Sequence, residues 1–121
     1  MSKKILITDD TLFMRVTLKT ILKENGFDDV IEACNGQEAV DQYAAHKPDL
    51  VLLDITMPIK DGLSALKEIR EADPNATVVM CTAMGQKNVV IEAVQSGAKD
   101  FIVKPFQPDR VIESVRKYLA A

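Results

Sequence analysis

Asp9-Asp10, Asp54 with Thr56 two places on, Thr82-Ala83 and Lys104-Pro105 are the residues of this 121-residue chain whose types suit joint chemistry. Each set follows a short apolar run: "KILIT", "LVLL", "TVVMC" and "DFIV" in turn. A lone carboxylate at the tip of such a run is costly to bury unless it is paired, hydrogen-bonded or bound to a cation. Three carboxylates in one crevice repel each other and raise each other's pKa, and a divalent cation relieves that repulsion. No His or Cys stands beside them to select zinc. Magnesium suits best, because it takes one or two carboxylates, keeps several waters and prefers octahedral oxygen. Its open positions are natural places for phosphoryl oxygens.

A phosphoryl group in transfer spreads negative charge over three equatorial oxygens. The cation takes one, the Lys104 ammonium a second, and the Thr82 hydroxyl or a nearby backbone N–H a third. One carboxylate then acts as nucleophile and becomes an acyl phosphate. Physics alone does not decide which one. Asp54, with strand-1 and strand-4 groups on either side, is the best placed. Each piece also has a plain reading: a solvated turn or helix cap for Asp-Asp, a loop for Lys-Pro, a helix-entry residue for Thr82. Their joint placement at four strand ends is what argues for a site.

Those residues need elements that aim them at one place. The apolar runs read as strands, with "DVIEA" (29–33) as the second of five. Between them lie amphipathic stretches: Met14, Leu18, Ile21 and Leu22 on one helix face, Ala39, Val40, Tyr43 and Ala44 on the next, then Leu63, Leu66 and Ile69. "QKNVVIEAVQSG" is the fourth helix, and Pro108 opens the fifth, with Val111, Val115 and Leu119 on one face. Gly26 and Gly97 read as helix stops. The result is an α/β (βα)5 chain. Its central strands are continuously apolar, which argues for a parallel sheet covered on both faces. Right-handed crossovers make it an open doubly wound, flavodoxin-like sheet. The expected strand order is 2-1-3-4-5, which the alternation alone does not fix. In such sheets function sits at the carboxyl ends of the strands.

Composition bounds the rest. A chain 47% hydrophobic and 27% charged fits one domain over residues 1–121. A net charge of -3 disfavours nucleic-acid binding as the main task. No apolar run approaches the ~18 residues of a membrane span, and "MSKKILITDD" lacks a signal-peptide layout. A cytoplasmic protein is expected, with Cys34 and Cys81 as buried free thiols and His46 as a solvated helix-end residue.

The strand-1 "DD", "LLDITMPIKDG", "CTA" and "DFIVKPF" together resemble the receiver domains of bacterial response regulators, over essentially the whole chain. "FMR", "AMGQ" and "DFIVKPFQ" narrow the likeness to stand-alone chemotaxis regulators of the CheY type. Thr8 and Lys60 depart from it, standing where an aliphatic residue and an acidic or other polar residue are more usual. The resemblance implies a phosphoacceptor at Asp54. It implies Mg2+ held by Asp9, Asp10, Asp54 and the Thr56 backbone carbonyl, and Lys104 pairing with the phosphoryl group. Thr82 and Phe101 stand at its switch positions, and Lys104-Pro105 at its cis peptide bond. It further implies a monomer that takes its phosphoryl group from a sensor histidine kinase of chemotaxis. Its partners are a flagellar motor switch protein or another protein target and a phosphatase, with no nucleic acid and no membrane. No output domain is expected, because the chain ends with the fifth helix. Such a protein is a switch rather than an enzyme, with only self-phosphorylation and self-dephosphorylation as chemistry. A receiver serving a non-chemotaxis phosphorelay is the alternative within the family.

Two other classes compete. An aspartyl-phosphate phosphohydrolase of the haloacid dehalogenase type wants Asp-x-Asp after its first strand and a cap domain. Here Asp54-Ile55-Thr56 follows the third strand, and the chain is short. A flavodoxin-like cofactor binder wants a Ser/Thr/Gly-rich phosphate loop after strand 1, where the acidic "TDDT" would repel phosphate.

Overall fold

The computed structural model describes residues 3–83 and 86–119. Five strands alternate with five helices: β1 (Ile5–Thr8), α1 (Leu12–Glu24), β2 (Val30–Ala33), α2 (Gly36–His46), β3 (Leu50–Asp54), α3 (Gly62–Ala72), β4 (Val78–Thr82), α4 (Lys87–Gln95), β5 (Asp100–Val103) and α5 (Pro108–Leu119). The strands form one sheet in the order β2-β1-β3-β4-β5, and every pairing is parallel. This is the expected doubly wound sheet. No described helix is long and apolar enough to cross a membrane.

The continuous apolar runs are explained by two cores, one on each sheet face. Leu6, Val51, Leu53, Val78 and Met80 point towards α2, α3 and α4, where Ala39, Tyr43, Leu66, Ile69 and Ala93 meet them. Ile5, Ile7, Leu50, Leu52, Cys81 and Ile102 point the other way, onto Leu18, Leu22, Val111 and Val115 of α1 and α5. Successive strand residues alternate between these faces, so a strand buried on both sides has no room for polar alternation.

Local chemistry sets the helix boundaries. Thr11, Asn35 and Asp61 cap α1, α2 and α3 by accepting the N–H of Met14, Glu38 and Ser64. Gly26 follows α1 at φ +89°, a conformation costly for residues with a Cβ. Pro108 supplies the first residue of α5, where its missing N–H costs nothing. The least embedded helix is α4: Ala93 is its one fully buried described residue, while Ile91 and Val94 are exposed.

Three expectations need correction. Ala44 lies on the exposed side of α2, because the buried stripe is the narrower Ala39–Tyr43 line. Met14 is only half-buried, since the buried residues of α1, Leu18, Ile21 and Leu22, all lie in its second half. Cys81 is buried but Cys34 is partly exposed, because it follows the edge strand β2.

Candidate functional site

Asp9, Asp54 and Lys104 continue the face that carries Ile7, Leu52 and Ile102, so all three come up on the α1–α5 side of the sheet at its carboxyl edge. One oxygen from each of Asp9, Asp10 and Asp54 falls within a set spanning no more than 4.8 Å. Asp9 and Asp54 are buried, at 1% and 5% exposure, while Asp10 is exposed. Lys104 reaches between the buried pair, its Nζ 2.8 Å from Asp9 Oδ2 and 3.1 Å from Asp54 Oδ2.

The backbone at this edge is held from several sides. The Lys104 N–H donates to the Thr82 carbonyl at 2.7 Å, and the Ile55 N–H donates to the Cys81 carbonyl at 3.2 Å. The Lys104-Pro105 bond is cis, as the resemblance implied. The Gly62 N–H donates to the Ile55 carbonyl at 2.7 Å, which folds the "TMPIKDG" loop tightly back behind Asp54. A Cβ at Gly62 would fall on the Asp54 carbonyl group, so this close approach requires glycine. The Thr11 N–H and hydroxyl both donate to Asp9 Oδ1, at 2.9 and 3.0 Å. Arg15 donates from Nη1 to the Asp9 carbonyl at 2.8 Å, and its Nε pairs with Glu32 Oε1 at 3.1 Å.

The electrostatics follow from burial. Burial pushes the Asp54 carboxyl above its ordinary pKa, the Lys104 ammonium opposes that, and Asp9 adds to it; the net direction is upward. Burial alone would lower the Lys104 pKa, but its bonds and attraction to Asp9 and Asp54 outweigh this and raise it. The ammonium is therefore firmly charged. Three carboxylates against one ammonium leave the cluster net negative. A hard oxygen donor set of this kind, with no imidazole or thiolate among the clustered ligand atoms, is suited to a divalent cation such as Mg2+. Cys81 sits one strand away, but burial pushes its thiol up to about 12, which keeps it inert.

Thr82 is placed differently from the others. By alternation it shares the face of Val78 and Met80, the α4 side. It is buried, and it lines a groove of about 580 Å³ together with Ala83, Gln86, Val90, Phe101 and Val103. Phe101 is 40% exposed beside it, so it is not a core aromatic. The strand ends carry five candidate groups for one crevice. The structure gathers the three carboxylates and the ammonium, and sets Thr82 on the other face of the sheet, lining the α4–β5 groove. Thr56 lies exposed on the loop after Asp54, its hydroxyl accepting a bond from Gln86 Nε2 at 3.1 Å. Met84 and Gly85 of the "AMGQ" motif lie outside the described residues.

Gln86 and the Arg15–Glu32 pair are the neighbours that residue-type reasoning did not assign. Gln86 left one trace: it stands at the N-cap of α4, where Ser, Thr, Asp or Asn would be favoured. Glu32 left none, since a glutamate on an edge strand ordinarily reads as solvated.

Residues 5–116 match the family model described as "Response regulator receiver domain". The chain belongs to the response regulator receiver family. Among curated relatives of this receiver, the "Chemotaxis protein CheY" of Bacillus subtilis (strain 168) is 58% identical over 98% of the chain and 99% of its own length. The protein of the same name from Thermotoga maritima is 55% identical over 97% of the chain and 98% of its own length. Among solved structures, the receiver resembles a chain of the CheX-CheY-BeF3-Mg+2 complex from Borrelia burgdorferi. The TM-score there is 0.92 at 39% identity, covering 98% of this chain and 90% of that one.

Proposed function

We propose that this receiver is a phosphorelay response regulator of chemotaxis, with residues 1–121 acting as one receiver domain in the cytoplasm. The observation that carries the reading is the meeting of Asp9, Asp10, Asp54 and Lys104 at one sheet edge. The kinship with two chemotaxis proteins matched over nearly their whole length supports the pathway.

The carboxylates of Asp9, Asp10 and Asp54, with the Thr56 backbone carbonyl, are the groups that would hold Mg2+. When bound, that ion supplies charge neutralisation for the incoming phosphoryl oxygens. Asp54 is the nucleophile. Its carboxylate oxygen attacks the phosphorus of a phosphohistidine on a sensor kinase. The P–N bond breaks and the imidazole leaves with the electron pair. Lys104 turns from its carboxylate partners to the new phosphoryl oxygens. Thr82 is drawn towards the same group, and the space it leaves accepts Phe101. Phe101 has no hydroxyl, so packing decides its position. The α4–β5–α5 face changes shape, and a target that prefers the new shape, a flagellar motor switch protein, holds it there through differential affinity. The only bond chemistry on the chain is its own phosphorylation and dephosphorylation.

Incubation with Mg2+ and acetyl phosphate tests this by mass spectrometry. Wild type gains one phosphoryl group and Asp54→Asn gains none. Equal gain in both, or multiple turnover on small phosphate esters, overturns the reading. A flagellar switch protein should be retained on immobilised chain only in the presence of beryllofluoride and Mg2+.

A further inference from the structure

Gln86 ties together the two loops that flank Asp54. Its Oε1 accepts the Ala83 N–H at 2.7 Å, and its Nε2 donates to the Thr56 hydroxyl at 3.1 Å. The origin of that N–H gives the tie its meaning. Asp54 stands opposite Cys81 in the β3–β4 ladder, and the Cys81 carbonyl takes the Ile55 N–H. On a parallel strand, alternate residues address the same neighbour. Ala83, two places beyond Cys81, therefore turns its N–H towards β3 and the loop after Asp54. The next ladder acceptor in that row would be the Ile55 carbonyl, but this oxygen takes the Gly62 N–H. The Ala83 N–H is thus a ladder donor without its ladder acceptor, beside the strand end that carries Asp54, and Gln86 fills it.

Two further facts separate this from an ordinary loop contact. Gln86 stands at the N-cap of α4 yet makes no capping bond, so its amide does not serve the helix. It also lines the α4–β5 groove with Thr82 and Phe101. One side chain therefore touches the Asp54 loop, the β4–α4 loop and the output groove.

We propose that Gln86 is a latch on the unmodified state. It holds the Ala83 N–H while Asp54 is free and yields that donor to a phosphoryl oxygen when Asp54 is modified. In yielding, it releases the start of α4 from Thr56. This deepens the reading of Asp54 as phosphoacceptor and rests on it. A bond made only in the unmodified state biases the equilibrium against the modified one.

Beryllofluoride with saturating Mg2+, titrated by amide-proton NMR, is the test. Gln86→Ala should bind it about 2- to 10-fold more tightly than wild type, the worth of one neutral hydrogen bond. The Mg2+ affinity measured alone should move less than this, because Gln86 bonds to none of the three carboxylates and meets Thr56 at its hydroxyl rather than at the carbonyl that would hold the ion. Gln86→Glu keeps an acceptor for the Ala83 N–H and adds negative charge, so it should bind beryllofluoride more weakly than wild type. Equal or weaker binding in a folded Gln86→Ala overturns the latch, as does tighter binding in Gln86→Glu. Absence of beryllofluoride binding in wild type overturns the Asp54 reading itself, so the two failures are distinct.

Discussion

The Lys104 ammonium lies 2.8 Å from Asp9 Oδ2, joining the last strand to the first across 95 positions of sequence. It also reaches Asp54 Oδ2 at 3.1 Å. In the chain without a cation, Lys104 thus offsets the carboxylates that Mg2+ would offset. An ion held there would compete with the ammonium for the same oxygens and repel it. Lys104→Ala should therefore bind Mg2+ more tightly, by about tenfold or more for the loss of its two charge-assisted contacts. The chain has no tryptophan, so calorimetry is the suitable measurement. Unchanged or weaker Mg2+ binding would sink the competition. The same variant should take a phosphoryl group yet fail to pass the signal to its target.

Asp54 should be a burden on the fold at neutral pH. Burial raises its pKa, Lys104 lowers it, Asp9 raises it, and the net shift is upward. A raised carboxyl pKa means that the native state holds the proton more tightly than the unfolded chain. The ionised group therefore costs stability above its folded pKa, and the cost fades as pH falls towards the ordinary 3.8. Asp54→Asn in EDTA should melt about 2–5 °C above wild type at pH 7. The gap should close towards pH 3. A gap that widens on acidification would contradict the shift.

Much of this molecule was legible in its sequence because the parallel sheet forces regularity. Runs such as "LVLL" must be apolar when both faces are covered, and the crossovers place every strand end on one edge. That is why Asp9, Asp54 and Lys104 could be grouped before any contact was known. The groups that escaped are those whose role depends on side-chain direction. Thr82 follows Cys81 by one residue, and that single step sends it to the opposite face. Gln86 acts through a ladder donor that Gly62 leaves vacant, a relation between three separate segments. Cys34 looked like a buried thiol because it follows apolar residues, but an edge strand is covered less completely than a central one.

Thr8 carries a hydroxyl that the core does not use. The residue is 1% exposed, and its Oγ1 finds no hydrogen-bond partner among the described residues. A buried polar group without a partner costs about 1–3 kcal/mol. Valine has nearly the same shape without that group. Thr8→Val should be more stable by roughly 1 kcal/mol. In urea the midpoint should rise with an unchanged slope. A lower midpoint would show that the hydroxyl has a partner, such as an internal water.

Asp9 and Asp10 should separate into two kinds of ligand. Asp9 is buried, pairs with Lys104 and accepts two bonds from Thr11, which itself caps α1 through the Met14 N–H. Asp9→Ala therefore loses Mg2+ affinity and fold stability together, because it loosens both the helix start and the ammonium. Asp10 is exposed and adds like charge to the cluster. Asp10→Ala should lose Mg2+ affinity while its melting temperature in EDTA stays level or rises. Ligand binding to the native state alone raises the melting point by mass action. Wild type should accordingly gain stability from millimolar Mg2+, and Asp10→Ala should gain little. A full Mg2+ shift in Asp10→Ala would remove Asp10 from the ligand set and leave the ion to Asp9 and Asp54.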